Sequence, residues 1–212
     1  MTTIDETTAT LRPTHSGGRG VRVVTVLVAA AGLWLLVGQR LLAWWQGAPL
    51  TWQTSTTARG PVPELGDLVP GVSAQFADQI AWQQVAAPAD RWLLALAPGV
   101  TAALCLLVGC WAVWQLAGRI SGGDPFGGRS VRMVQVLAWA VFGYGVLVPG
   151  VRMITTLVLG TDALAGHPGN GSVAVQIGLP EYWGIPIAVL LFLLAEVWRH
   201  GARLRDDVDG LV

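Results

Sequence analysis

The sequence predicts an all-α membrane protein, a four-helix transmembrane bundle carrying a small extracytoplasmic β element built from its outer connections. Two observations dictate that class. Four apolar stretches, about 21–45, 92–116, 133–159 and 183–198, are each about long enough to cross a hydrocarbon core ~30 Å thick as a helix. Hydrophobic residues make up 53% of the chain and charged residues only 12%, against roughly 25% charged in a soluble domain. A soluble core cannot absorb that much apolar surface. Most residues fall in spans or their connections, so residues 21–212 read as one membrane domain.

Residues 1–20 are rich in Thr, Gly, Ser and Pro without apolar periodicity, the composition of a disordered arm. The apolar run that follows ends in Gln39, Arg40, Trp44 and Trp45 instead of a small-residue cleavage site, so it reads as a retained first helix and not a signal peptide. The connection 46–91 mixes turn signals with two ordered pieces. Residues 51–57 are β-compatible, with Thr, Trp and Gln, and are expected to pair with 172–178, where Val173, Val175 and Ile177 alternate with smaller or polar residues. Residues 73–85 place Phe76 and Ile80 four apart, as on one face of a short helix.

In the second span Ala95, Gly99 and Ala103 recur every four residues, a small-residue face suited to close helix approach. Pro98-Gly99, Pro149-Gly150 and Pro186 are expected to interrupt three helices as kinks that neighbouring groups re-satisfy. Cys105 and Cys110 are rotated about 140° apart on one helix and read as packing residues.

All 13 basic residues are arginines, and their positions orient the chain. Arg12, Arg19 and Arg22 precede the first span, Arg119, Arg129 and Arg132 fall in or beside the loop 117–132, and Arg199, Arg203 and Arg205 lie in the tail 199–212. The connections 46–91 and 160–182 hold only Arg59 and Arg91. The positive-inside rule therefore predicts a membrane protein with both termini in the cytoplasm.

The formal net charge is zero, without the basic footprint of a nucleic-acid binder, so no direct nucleic-acid binding is expected. His15, His167 and His200 lie in separate segments, not in a metal-ligand cluster. Phosphate-binding, metalloprotease and nucleophile-elbow motifs are absent from the sequence. No cofactor is expected, and the chain reads as a non-enzyme whose first partner is the lipid bilayer.

Ionisable groups at membrane depth are costly and face protein or water. Arg40 and Arg152 lie near outer helix ends and Glu196 near an inner one, where snorkelling or local pairing accounts for them. The alternative is an anion-attracting site of Arg40 and Arg152 in a small transporter or channel component. Glu196 precedes Arg199 by three residues and Arg203 by seven, which favours a local ion-pair network on one helix.

Motif-like residues concentrate in two cytoplasmic segments, GRISGGDPFGGRSVR at 118–132 and AEVWRHGARLRDDVDGLV at 195–212. Together they resemble the hallmarks of a family of four-pass bacterial membrane proteins, the Domain of Unknown Function 2975 family. Its Gly-Asp/Asn-Pro-Phe element is met by Gly123, Asp124, Pro125 and Phe126, followed by basic Arg129 and Arg132. Its fourth-helix ending is met by Glu196, Gly201, Leu204, Arg205, Asp206, Asp207, Leu211 and Val212. Trp198 stands where Phe is common, and the long first outer connection is a departure. The resemblance covers the four-span architecture, with specific motifs from Gly118 onward. It implies a cytoplasmic protein partner, such as the small helix-turn-helix regulator often encoded beside members, and no reaction.

The expected function is that of a noncatalytic regulatory or scaffold protein whose loop and tail, Arg203 included, form one cytoplasmic docking face. A purely structural role for the tail, packing beneath the bundle, competes with that reading. A transporter or channel component stands second and an intramembrane enzyme third.

Overall fold

The computed structural model of the chain describes residues 16–55, 72–76, 79–122, 128–164 and 182–209. Helix α1 (Ser16–Leu33) passes through a π-helical turn (Trp34–Gly38) into α2 (Gln39–Trp45). Strands β1 (Leu50–Ser55), β2 (Val72–Phe76) and β3 (Gln79–Gln84) follow, then α3 (Ala89–Ser121), α4 (Gly128–Leu164) and α5 (Gly184–Asp209). Four segments, Gly20–Trp45, Ala89–Ser121, Gly128–Asp162 and Gly184–Gly201, are long and apolar enough to cross a membrane. The protein is a multi-pass membrane protein. The helices overrun the hydropathy limits because backbone hydrogen bonding continues into interfacial residues; α4, with 37 residues, is about 55 Å long at 1.5 Å per residue.

The first span ends in a motif that its sequence explains. Gly47 adopts φ +68°, a conformation open to glycine at little cost. Its N–H bonds to Trp44 O, and the Ala48 N–H reaches back to Ala43 O. This is the Schellman pattern, which satisfies carbonyls left over at a helix C-terminus.

The connection between the first two spans carries an antiparallel three-stranded sheet in the order β1-β3-β2. Residues 51–55 form the expected strand, but β1 pairs with β3, and 172–178 lies outside the described residues. Helix is not formed over 73–85. Those residues supply β2 and β3, with Phe76 directly opposite Ile80. Trp52 and Trp82 are cross-strand partners whose rings stack at 6.1 Å, and Leu50, Trp82 and Gln84 on the same face are buried. That face seats the sheet on the helix ends. Leu50 clusters with Trp92, Ala95 and Leu159, flanked by Trp44 and Trp52.

Helix contacts run chiefly in chain order, the first span on α3, α3 on α4, and α4 on α5. The last pair is close because two glycines meet. A Cβ at Gly184 would lie 2.9 Å from Gly145 Cα and from Val141 O. Trp139 meets Phe192 edge-on at 5.2 Å, so α4 and α5 run antiparallel in a register that brings Gly128 opposite the vicinity of Gly201. The remainder of α5, to Asp209, extends about 12 Å beyond the start of α4.

All three prolines are carried within helices. Pro98 and Pro149 lie inside continuous α3 and α4, and Pro186 falls in the first turn of α5, where no intrahelical donor is required.

Candidate functional site

Two polar constellations stand out, one near each end of the spans. Near the sheet, Pro98 lacks the N–H that would bond to Leu94 O, four residues back. The Thr155 hydroxyl of α4 donates to that carbonyl at 3.4 Å, and Arg40 of α2 donates to Ala95 O. At the same depth Gly99 backs onto Leu36 O, where a Cβ would collide with the carbonyl. Leu36 belongs to the π turn, whose following residue, Gln39, bonds through its N–H to Trp34 O. The widened turn of the first span thus meets the proline-glycine break of the second, with the third span supplying a hydroxyl. Ala95 and Ala103 are buried beside Gly99, the close approach that the small-residue face predicts.

This places the two arginines read as membrane-embedded. Arg40 is engaged with a backbone carbonyl of α3. Arg152 is exposed on α4, one turn before Thr155. Thr155 itself went unnoticed in the sequence; its signal was a hydroxyl inside an apolar span that also faces a proline on a neighbouring one.

The opposite end holds the described members of the loop and tail set. Asp124, Pro125, Phe126 and Gly123 lie outside the described residues. Arg129 and Arg132 are exposed on the first turns of α4, on either side of a fully buried Ser130. On α5, Arg199 and Glu196 form an ion pair at 3.0 Å, and the His200 Nδ1 lies 3.0 Å from Glu196 O and 3.5 Å from its carboxylate. Both partners of the Glu196–Arg199 pair are more than 40% exposed, so it contributes about 0.5 kcal/mol or less. Gly201 is exposed with no atom near an added Cβ. Arg203, Leu204, Arg205, Asp206 and Asp207 continue the helix; their side chains lie outside the described residues. Among the described residues no three His, Cys, Asp or Glu side chains group as a metal site would require.

Arginines 22 and 119 border the same end, each with a buried Nε that has no acceptor among the described residues. Between α1, α3 and α4 lies an apolar cavity of about 640 Å³, walled by Val28, Leu36, Leu106, Leu137 and Tyr144, with Cys105 and Cys110 in its lining. Its size suits a small ligand, but its walls offer few convergent polar groups that could orient one.

No curated protein and no solved structure matches the chain. A family model matches residues 68–212, taking in β2, β3 and the second to fourth spans. The first span and β1 lie outside that match, although the resemblance in architecture took in all four spans, with its specific motifs from Gly118 onward lying inside the match. On this match the chain belongs to the family described as Protein of unknown function (DUF2975).

Proposed function

We propose that the protein is a noncatalytic regulatory or scaffold protein of the bacterial cytoplasmic membrane, with a docking face formed by the α3–α4 connection and the end of α5. The observation that carries the reading is the overrun of α5. The apolar run of α5 ends at Trp198, yet the helix continues to Asp209, closing on the sequence ARLRDDVD. A charged helical end projecting past α4 presents both signs of charge for a partner to complement. The arginine bias toward this end supports placing it in the cytoplasm.

Crosslinking in the native membrane followed by purification, with the full chain and with a chain lacking residues 201–212, tests the proposal. Loss of specific protein partners on truncation, with unchanged membrane insertion, is expected. Retention of every specific partner would assign the tail a purely structural role.

A further inference from the structure

The crossing of α1 over α3 carries a feature that the docking face does not use. Arg22, Thr25, Val26 and Ala29 recur at the spacing of one helix face. The Arg22 guanidinium lies over the Trp114 ring, 5.5 Å from its centroid, and packs against Gly118. Its Nε is buried without an acceptor among the described residues, and no carboxylate among them pairs with it. Along the same face runs a slot of about 340 Å³, lined by Thr25, Val26, Ala29, Leu107, Trp111 and Trp114. The Thr25 hydroxyl is turned back onto Val21 O at 2.8 Å. The slot therefore presents an almost wholly apolar wall.

We propose that this slot holds an acyl chain of an anionic phospholipid whose phosphate is bound by Arg22. The argument is complementarity of charge and direction. The Arg22 cation stands at the interfacial end, and hydrocarbon lines the path from it along the span. A leaflet lipid has that polarity, with its phosphate at the interface and its chain pointing inward. Phosphate oxygens would accept from the terminal N–H groups of the Arg22 guanidinium in charge-assisted bonds. Trp114 holds the guanidinium by its ring face and leaves the edge donors free. A soluble anion would meet the charge but leave the apolar slot unfilled, whereas a neutral lipid would fill the slot without adding net charge at Arg22.

The test is native mass spectrometry of the full-length protein in non-ionic detergent, titrated separately with phosphatidylglycerol and phosphatidylcholine. Retention of phosphatidylglycerol about fivefold tighter than phosphatidylcholine is expected, the effect of one basic residue at an anionic surface. Arg22→Gln removes that preference. Ala29→Leu narrows the slot without touching the charge and weakens retention of both lipids, while Arg22→Lys keeps part of the preference and guards against a folding artefact. Equal retention of the two lipids by the unaltered protein overturns the proposal, as does unchanged phosphatidylglycerol binding in Arg22→Gln. Displacement of phosphatidylglycerol by millimolar inorganic phosphate would assign Arg22 to a free anion. Insensitivity to Ala29→Leu would leave a headgroup contact without the slot, and a dimer lost in Ala29→Leu would assign the slot to a second copy; each result overturns the acyl chain in the slot.

Discussion

Adding a methyl group at Gly184 places it 2.9 Å from Val141 O and Gly145 Cα. Both are backbone atoms of α4, so relief requires the fourth span to move bodily away from the third. Two residues before Gly145, a Cβ at Gly143 would meet Cys105 Sγ at 3.6 Å and Leu147 Cδ1 at 3.7 Å, both ordinary contacts. Gly184→Ala is therefore expected to destabilise by about 1–3 kcal/mol, the usual cost of overpacking, while Gly143→Ala stays within about 0.5 kcal/mol. Thermal unfolding of the two variants in the same detergent compares them, and equal melting temperatures would refute a glycine-mediated crossing. The contact was hidden in the sequence for a physical reason. Ala95, Gly99 and Ala103 advertise a small face by repeating along one helix, whereas Gly145 and Gly184 contribute one residue from each side, and a single glycine leaves no period.

At the scale of the element, the break at Pro98 makes a coupled prediction. Thr155→Val removes the donor to Leu94 O, at an expected cost of about 0.6 kcal/mol for a side-chain bond within a membrane. Pro98→Ala supplies a backbone N–H to the same carbonyl, so Thr155→Val made on that background should cost nothing further. A double-mutant cycle by unfolding in detergent reads the coupling, and equal costs on both backgrounds would show that the hydroxyl does not answer the proline.

The hairpin shows how one spacing can serve two structures. Phe76 and Ile80 are four residues apart, which places them on one face of a helix, but antiparallel pairing of strands close in the chain also sets such residues directly opposite each other, as here. What settles the choice is tertiary: β3 lies between β1 and β2, and the Trp52–Trp82 stack joins segments thirty residues apart. Local periodicity carries no trace of that pairing. Trp82, buried and stacked, should be the keystone. Trp82→Ala is expected to cost about 3–5 kcal/mol within the sheet and to render 46–91 sensitive to protease while the spans remain intact, a pattern that limited proteolysis in micelles can detect.

For the molecule as a whole, the spans were legible because hydrocarbon solubility is written into each residue independently. Their neighbours were not, because α4 is apolar nearly all round and such a helix does not encode which side meets which partner. The sheet and the charged end of α5 emerge on opposite faces, since three spans separate them. Arginine counts alone assign those faces to compartments. In a background with Cys105 and Cys110 replaced by alanine, Val85→Cys reports on the sheet side, where Val85 is 63% exposed, and Gly201→Cys reports on the other, where an added side chain meets no neighbour. A membrane-impermeant maleimide added to intact cells should label Val85→Cys and leave Gly201→Cys unlabelled until lysis. The reverse pattern would turn the molecule over, placing the α5 extension outside the cell and removing the cytoplasmic partner as its reason for continuing past the bilayer. Because the arginine bias rests on many residues across three segments while the docking face rests on one helix end, the labelling result separates an error of orientation from an error of function.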